Sequence, residues 1–191
     1  TVRASAGLGI KEPTILESFS QNAFFLGNRG LLHERSRTFD VGVVQRLFAQ
    51  RAKVEVTWFS GRYRNQIATG TVDPEAFRGQ FFNVGSTRAR GTEMVVEVRP
   101  APSLLFRAAH TFLASRIIDS PSPFDPVFRA GAWTFRRPRH SGFVNAALTR
   151  TGLSVDLVGV FSGPRVDSDF SSLEPAITEA NLPVIWTLND R

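Results

Sequence analysis

Alternation of apolar and polar residues with a period of two restricts the fold of this sequence more than any other feature. Successive side chains of a β-strand point to opposite faces, so this alternation predicts strands with one apolar and one polar face. For example, Phe39, Val41 and Val43 share one face, and Asp40 and Gly42 share the other. The pattern predicts about eight antiparallel strands and no helix. The predicted strands are residues 2–9, 38–43, 53–58, 93–98, 104–112, 144–149, 153–162 and 184–189.

The connections between these strands alternate in length. Most connections in compact soluble domains have about 4 to 6 residues, whereas antiparallel strands that cross a membrane leave short turns on one side and long loops on the other. The predicted short turns are residues 48–52, 99–103 and 150–152, and the predicted long connections are 10–34, 64–80, 116–139 and 163–183. The pattern therefore favours an all-β transmembrane barrel over a soluble all-β domain.

Charged residues on the polar side of the strands fit the same interpretation. Charge that faces the lipid is costly, so these side chains must face water, which in a barrel is the lumen. The residues concerned are Asp40, Glu55, Glu93, Glu97, Arg107 and Asp156.

Composition excludes several classes of protein. The net charge is +6, and all 23 basic residues except Lys11 and Lys53 are arginine, which suits anionic groups. The arginines are scattered along the chain rather than grouped as a nucleic-acid-binding surface requires, so we expect no nucleic-acid partner. No run of about 18 apolar residues is present, which excludes a helical membrane protein.

Sequence motifs of enzymes and metal sites are absent. The chain has no cysteine, and His33, His110 and His140 lack the spacing of metal ligands. There is no nucleophile elbow, glycine-rich phosphate loop or zinc signature. We therefore expect no enzymatic activity, no resident metal and no cofactor.

The number of strands raises the question of closure. A barrel of about eight strands has an interior that side chains fill, whereas long loops and a charged interior suit a wider barrel. An open sheet with a lipid-facing surface is unstable in a membrane. We therefore expect further strands beyond one or both ends of the chain, and we expect that these 191 residues do not fold unaided.

Several motifs in order resemble the barrel signature of TonB-dependent outer-membrane receptors. The first is GIKEPTILESF at residues 9–19, followed by FFLGNRGLLHERS at residues 24–36, in which Arg29 and His33 replace prolines that are usual in the family. The family-like residues in these motifs are Gly27, Asn28, Leu31, Glu34 and Ser36, then Asn83, Gly85, Gly91 and Glu93 in residues 81–100. Residues 56–68, 110–117 and 135–140 add further similar segments.

The resemblance implies a fold and a role for the whole protein. It implies that residues 1–191 are part of a barrel of about 22 strands, with a plug domain and terminal strands outside this sequence. Members of the family import a scarce solute such as a ferric siderophore, haem or cobalamin across the outer membrane of Gram-negative-type bacteria. The implied partners are outer-membrane lipid and lipopolysaccharide, the plug, the TonB energy-transducing complex and the small-molecule ligand.

The predicted outer loops carry the candidate ligand-binding residues. Aromatic and arginine side chains there are suited to grip a large ligand, although an aromatic girdle or loop packing explains them equally well. The candidates are Phe24, Phe25, Phe128, Arg129, Trp133 and Arg136. The nearby cluster of Arg136, Arg137 and Arg139 is either a rim site for an anionic ligand or lipopolysaccharide phosphate, or a solvated loop edge.

Two alternatives to an importer remain at this point. The first is a soluble all-β module that binds polyanions or glycans, which would bury Val96, Phe106 and Leu157 between two stacked layers. The second is a structural or adhesive barrel without import activity. A barrel in either role leaves the same three side chains exposed on one face of a single sheet.

Overall fold

One large antiparallel sheet contains almost all of the regular structure. The computed structural model describes residues 1–22, 24–73, 78–120, 129–151, 153–166, 173–174, 176–181 and 184–186. The strands in chain order are β1 (Val2–Lys11), β2 (Phe25–Leu26), β3 (Glu34–Leu47), β4 (Ala52–Asp73), β5 (Arg78–Ala101), β6 (Leu104–Asp119), β7 (His140–Arg150), β8 (Leu153–Ser162), β9 (Arg165–Val166), β10 (Leu173–Glu174), β11 (Ile177–Asn181) and β12 (Val184–Trp186).

The sheet is an up-and-down meander. Its order is β1-β3-β4-β5-β6-β7-β8-β11, while β12 also pairs with β8 and the short β2 runs parallel to β5. A separate two-stranded sheet joins β9 and β10. Each long strand pairs with its nearest long neighbours in sequence, which confirms the predicted all-β antiparallel fold of a barrel segment.

The register gives the sheet one apolar face. Directly opposite residues share a face, and Val41 pairs with Trp58, which in turn pairs with Thr92. Other large side chains on this apolar face are Phe39, Val43, Val56, Met94, Val96, Phe106, Val144 and Leu157.

This apolar face is uncovered. The exposed fractions are 43% for Phe106, 58% for Val144 and 48% for Leu157. No second layer of described residues packs against these strands, so the soluble two-layer alternative, which requires a shared dry interior, is wrong. A single sheet that leaves so much apolar surface exposed is suited to a lipid environment.

The opposite, polar face carries a network of charges. Glu97 accepts ion pairs from Arg99 at 3.1 Å and from Arg107 at 3.5 Å, and Glu55 binds both Lys53, at 3.1 Å, and Arg3. Asp40, Glu93 and Asp156 share this face through the strand register. The six charged residues expected on the water-facing side are therefore all on the polar face.

The short turns lie at the predicted positions, but one of the predicted long connections is absent. Residues 48–51 and 102–103 connect neighbouring strands at one end of the sheet, and at the same end β7 stops at Arg150 shortly before β8 begins at Leu153. The predicted loop 64–80 is wrong, because β4 continues to Asp73 and β5 begins at Arg78. This hairpin extension contains residues with high strand propensity, such as Ile67 and Phe81, but no apolar–polar alternation, which explains why the pattern missed it.

The sequence pattern also missed a short helix and the strand β11. Helix α1 (Ile15–Phe19) begins at a capping box, in which Glu17 N–H donates to the Thr14 side chain and Thr14 N–H donates to the Glu17 carboxylate. Partial burial opposes ionisation of Glu17, but the Thr14 N–H and the Lys11 ammonium outweigh it and lower the pKa of the carboxyl. β11 lies inside the predicted connection 163–183 and was therefore missed. β12 lies within the predicted strand 184–189 and pairs with β8, while 187–189 lie outside the described residues.

Candidate ligand-binding surface

The first long loop, residues 12–33, is attached to β5 by the side chain of Asn83. Its amide oxygen accepts the Leu32 N–H at 2.8 Å, and its amide nitrogen donates to Leu32 O at 2.9 Å. The same nitrogen donates to Asn65 O at 2.7 Å. One side chain therefore joins the loop to both strands of the β4–β5 hairpin.

Asn28 provides a second attachment of this loop. Its amide nitrogen donates to Phe81 O at 3.1 Å, and its amide oxygen accepts the Gly30 N–H at 2.8 Å. The adjacent Gly27 has no space for a side chain, because a Cβ would lie 2.5 Å from the backbone nitrogen of Ser20. The motif around residues 27–28 thus fixes the path of the loop.

Glu34 completes the attachment where the loop enters β3. Its carboxylate accepts the Ile67 N–H at 3.2 Å and binds the Lys11 ammonium at 2.8 Å. The carboxylate thereby connects the end of β1, the start of β3 and the extension of β4. These signature residues attach the first long loop to the β4–β5 hairpin.

The described part of the polar face contains a cavity of about 510 Å³ at the end that carries the long loops. It lies between β4, β5, β6 and residues 134–137. This segment is held against β6 because Thr134 N–H donates to Ser115 O at 3.1 Å and Ile117 N–H donates to Ala132 O at 2.9 Å. The side chains that give the cavity its chemistry are Phe59, Tyr63, Thr87, Glu93, Phe135 and Arg137.

This combination of side chains favours a large ligand with both apolar and anionic parts. Three aromatic rings offer flat contact area, and the Arg137 guanidinium offers a planar pair of donors for a carboxylate, phosphate or similar anion. Glu93 and Tyr63 add a hydrogen-bond acceptor and a hydroxyl group. The volume is within the range of small-molecule sites, about 300 to 1,000 Å³.

Two of the predicted ligand-binding residues lie at the rim beside the hairpin extension. Phe24 is 68% exposed, and its carbonyl accepts the Gly79 N–H at 2.8 Å. The Phe25 ring centroid is 6.0 Å from that of Phe81. Both residues therefore lie against the start of β5, and neither lines the cavity.

The other predicted residues lie beside β6. Trp133 forms a β-bridge with Arg116, which places it with the apolar face rather than in the cavity. Arg129 is exposed in a turn, and the exposed Arg136 lies with its guanidinium 5.3 Å from the Phe135 ring centroid. Phe128 lies outside the described residues. The structure thus separates the described candidates into two groups.

Tyr63 and Phe135 line the cavity, but sequence reasoning did not identify either as a binding residue. Tyr63 shares the polar face with Phe59, and this parity was visible in the sequence. Phe135 joins them only because residues 132–134 pair with β6, which no local pattern reveals. The sequence pattern predicts Glu93 only as a charged residue of the lumen. It predicts Arg137 only as a member of the basic cluster with Arg136 and Arg139.

Within the described residues, no group of three or more histidine, cysteine, aspartate or glutamate side chains is arranged to hold a metal ion. No helix in the described part of the chain is long and apolar enough to cross a membrane.

The fold is shared with solved transporter and receptor structures. The copper transporter OprC superposes with a TM-score of 0.74 at 13% identity, over 98% of this chain and 29% of that one. The siderophore receptor PiuA from Acinetobacter baumannii gives 0.71 at 15% identity, over 98% and 27%. The ferric yersiniabactin uptake receptor FyuA from Yersinia pestis gives 0.71 at 17% identity, over 97% and 27%.

The chain thus spans less than a third of the length of these three structures. No curated protein matches its sequence. Residues 1–187 match the family described as "TonB dependent receptor-like, beta-barrel". With this match over nearly the whole chain and the meander of two-faced strands, the protein belongs to the TonB-dependent receptor-like β-barrel family.

Proposed function

We propose that this chain forms barrel wall and outer rim of an outer-membrane receptor that imports a scarce solute. The observation that carries the proposal is the two-faced sheet of a TonB-dependent receptor barrel, with an exposed apolar face and a charged polar face. The apolar face contacts lipid, and the polar face contacts the aqueous lumen. The wall is mechanical and selective, and it performs no chemistry on the solute.

The remaining parts of such an importer are also part of the proposal. A plug domain fills the lumen against the polar face, and the TonB complex supplies energy from the inner membrane. The protein is located in the outer membrane of a Gram-negative-type bacterium. Membership of the family supports these assignments.

The cavity of the polar face suggests the class of solute. Aromatic walls beside the Arg137 guanidinium suit an anionic metal chelate with apolar groups, such as a ferric siderophore, or haem. The names of the similar structures, which include siderophore receptors and a copper transporter, support a metal-containing cargo. Phe24, Phe25, Arg129 and Arg136 are proposed as contacts at the rim.

Uptake measurements in cells test this proposal. A deletion strain that expresses the full-length protein should accumulate one member of a panel of labelled ferric siderophores, haem, cobalamin and copper, and an uncoupler should abolish accumulation. Replacing Arg137 by alanine removes the cation of the cavity and should weaken solute binding by about tenfold or more. The matched control is Arg150→Ala, which removes an exposed arginine at the end of β7.

Two results would contradict the import function. Accumulation that the uncoupler leaves unchanged would exclude energy-dependent transport. Absence of binding and uptake for every member of the panel would favour the alternative of a structural barrel without import activity.

A further inference from the structure

The antiparallel register aligns four arginines across β3 to β6. Arg37 pairs with Arg62, Arg62 with Arg88, and Arg88 with Arg116. Arg37 is two positions from Phe39, so this arginine row lies on the apolar face. The interpretation that the arginines are scattered is therefore wrong for these strands, because the register brings together residues that are far apart in the sequence.

Three further arginines flank the arginine row on the same face. Arg35 pairs with Arg64 on the side of the long loops, and Arg90 lies two residues from Arg88 on the side of the short turns. All of these side chains are exposed. In the ranges that the structure describes, none of them forms an ion pair with an acidic residue.

Like charges that lie directly opposite each other in a sheet destabilise it. Neighbouring strands are only about 4.8 Å apart, so the positive potentials of the arginine row add together. Asp119, which pairs with Ser86 next to this region, forms no ion pair with the row in the described part of the chain. An anion from outside the chain would convert this repulsion into attraction.

The position of the arginine row identifies the kind of anion. On the side of the short turns, the row borders Phe39, Trp58 and Phe112, and the rings of Phe39 and Trp58 contact each other with centroids 6.2 Å apart. Aromatic girdles of this kind mark the boundary between hydrocarbon and headgroups. A partner at this depth must have an anionic head and an apolar tail.

A cavity of about 450 Å³ joins the arginines to the aromatic residues. The guanidinium carbon of Arg116 lies 4.0 Å from the ring centroid of Trp133, and that of Arg139 lies 4.7 Å from the same centroid. Stacking on one ring orients both guanidinium planes. Nη1 of Arg116 donates to Gly131 O at 3.0 Å, and the remaining N–H groups of the two side chains are available for phosphate oxygens. The main side chains around this cavity are Trp58, Arg90, Phe112, Arg116, Trp133 and Arg139.

We propose that the arginine row and this cavity bind phosphate groups of lipopolysaccharide in the outer leaflet. Guanidinium groups form paired hydrogen bonds with phosphate, and the apolar chains of the lipid lie against Trp58 and Phe112. The assignment rests on the outer-membrane location given in the proposed function. The neighbouring apolar face explains why the phosphate belongs to a lipid rather than to a nucleic acid.

Native mass spectrometry of the full-length protein in detergent, titrated with bisphosphorylated lipid A, tests the assignment. The double variant Arg62→Gln/Arg88→Gln removes the two central guanidinium groups of the arginine row. Its affinity for this lipid should fall by about tenfold or more, because each substitution removes charge-assisted hydrogen bonds to phosphate. The control Arg150→Gln changes an exposed arginine at the opposite end of the apolar face and should bind like the unchanged protein.

Comparison of lipids separates phosphate recognition from general lipid binding. Dephosphorylated lipid A should bind the variant and the unchanged protein equally weakly, and inorganic phosphate alone should not bind as tightly as the lipid. The proposal is overturned if the double variant retains full affinity, if dephosphorylated lipid A binds as tightly, or if inorganic phosphate or a short DNA duplex matches the lipid.

Folding and transport are checked separately. Should the double variant not fold, the single variant Arg90→Gln decides the question by the same titration. Lipid binding is measured without any transported solute, so its loss would leave the import function untouched. Conversely, lipid binding that persists in a protein without uptake would contradict only the proposed import.

Discussion

Gly91 allows two strands to approach because it has no side chain. A Cβ at this position would lie 1.9 Å from Phe112 O and 2.7 Å from the tip of the Phe59 ring. The backbone oxygen cannot move without displacing β6, so Gly91→Ala should destabilise the full-length protein by about 1 to 3 kcal/mol. Urea unfolding in liposomes, followed by tryptophan fluorescence, measures this change.

Gly159→Ala is the matched control for this substitution. Its Cβ would first meet a methyl group of Val144 at 3.2 Å, and a side chain on the open apolar face can rotate away. We expect a smaller effect on the free energy of unfolding. Equal effects of the two substitutions would contradict the close packing assigned to Gly91.

At the scale of the strand, adjacent residues of β5 test which face contacts lipid. Val96 lies on the apolar face between Val54 and Ala108, so Val96→Arg should cost about 2 to 4 kcal/mol in a bilayer. Its neighbour Val95 lies on the polar face opposite Glu55, where an arginine meets a carboxylate. Folding of both variants into liposomes, measured by urea titration, gives the comparison.

The two-faced assignment requires a clear difference between these variants. A similar loss of stability for Val95→Arg and Val96→Arg would contradict the assignment of one face to lipid and the other to water. A larger loss for Val95→Arg would reverse the assignment of the faces.

The two faces of each strand could be predicted from the sequence, because apolar and polar residues alternate where the two sides of a barrel wall contact different solvents. Phe39, Val41 and Val43 could be assigned to one face without knowledge of any neighbour. The extension of β4 and β5 lacks this contrast, and its strands were therefore predicted to be a loop. Cross-strand relations such as the pairing of Arg62 with Arg88 depend on register, which a local pattern does not specify.

At the scale of the whole molecule, the sheet has two edges. β1 and β11 lie at the ends of the strand order, and the apolar face remains open beside them. Unpaired edges and exposed apolar surface favour association with other chains. We expect the isolated 191 residues to aggregate in detergent-free buffer and to show no sharp thermal transition by calorimetry.

The full-length protein in detergent is the control for this experiment. It should unfold in a cooperative transition, since closure of a barrel removes the edges. A soluble, monodisperse preparation of the isolated chain with a sharp transition would contradict the expectation.

The β4–β5 extension and the first outer loop are mechanically coupled. β2 pairs with the start of β5, while Asn28 and Asn83 fasten the loop to the same hairpin. Displacement of either part stretches these hydrogen bonds unless the other part follows. If the β4–β5 extension moves relative to a bound solute, Phe24 and Phe25 must move with it. The extension and the first long loop then approach or leave the solute together.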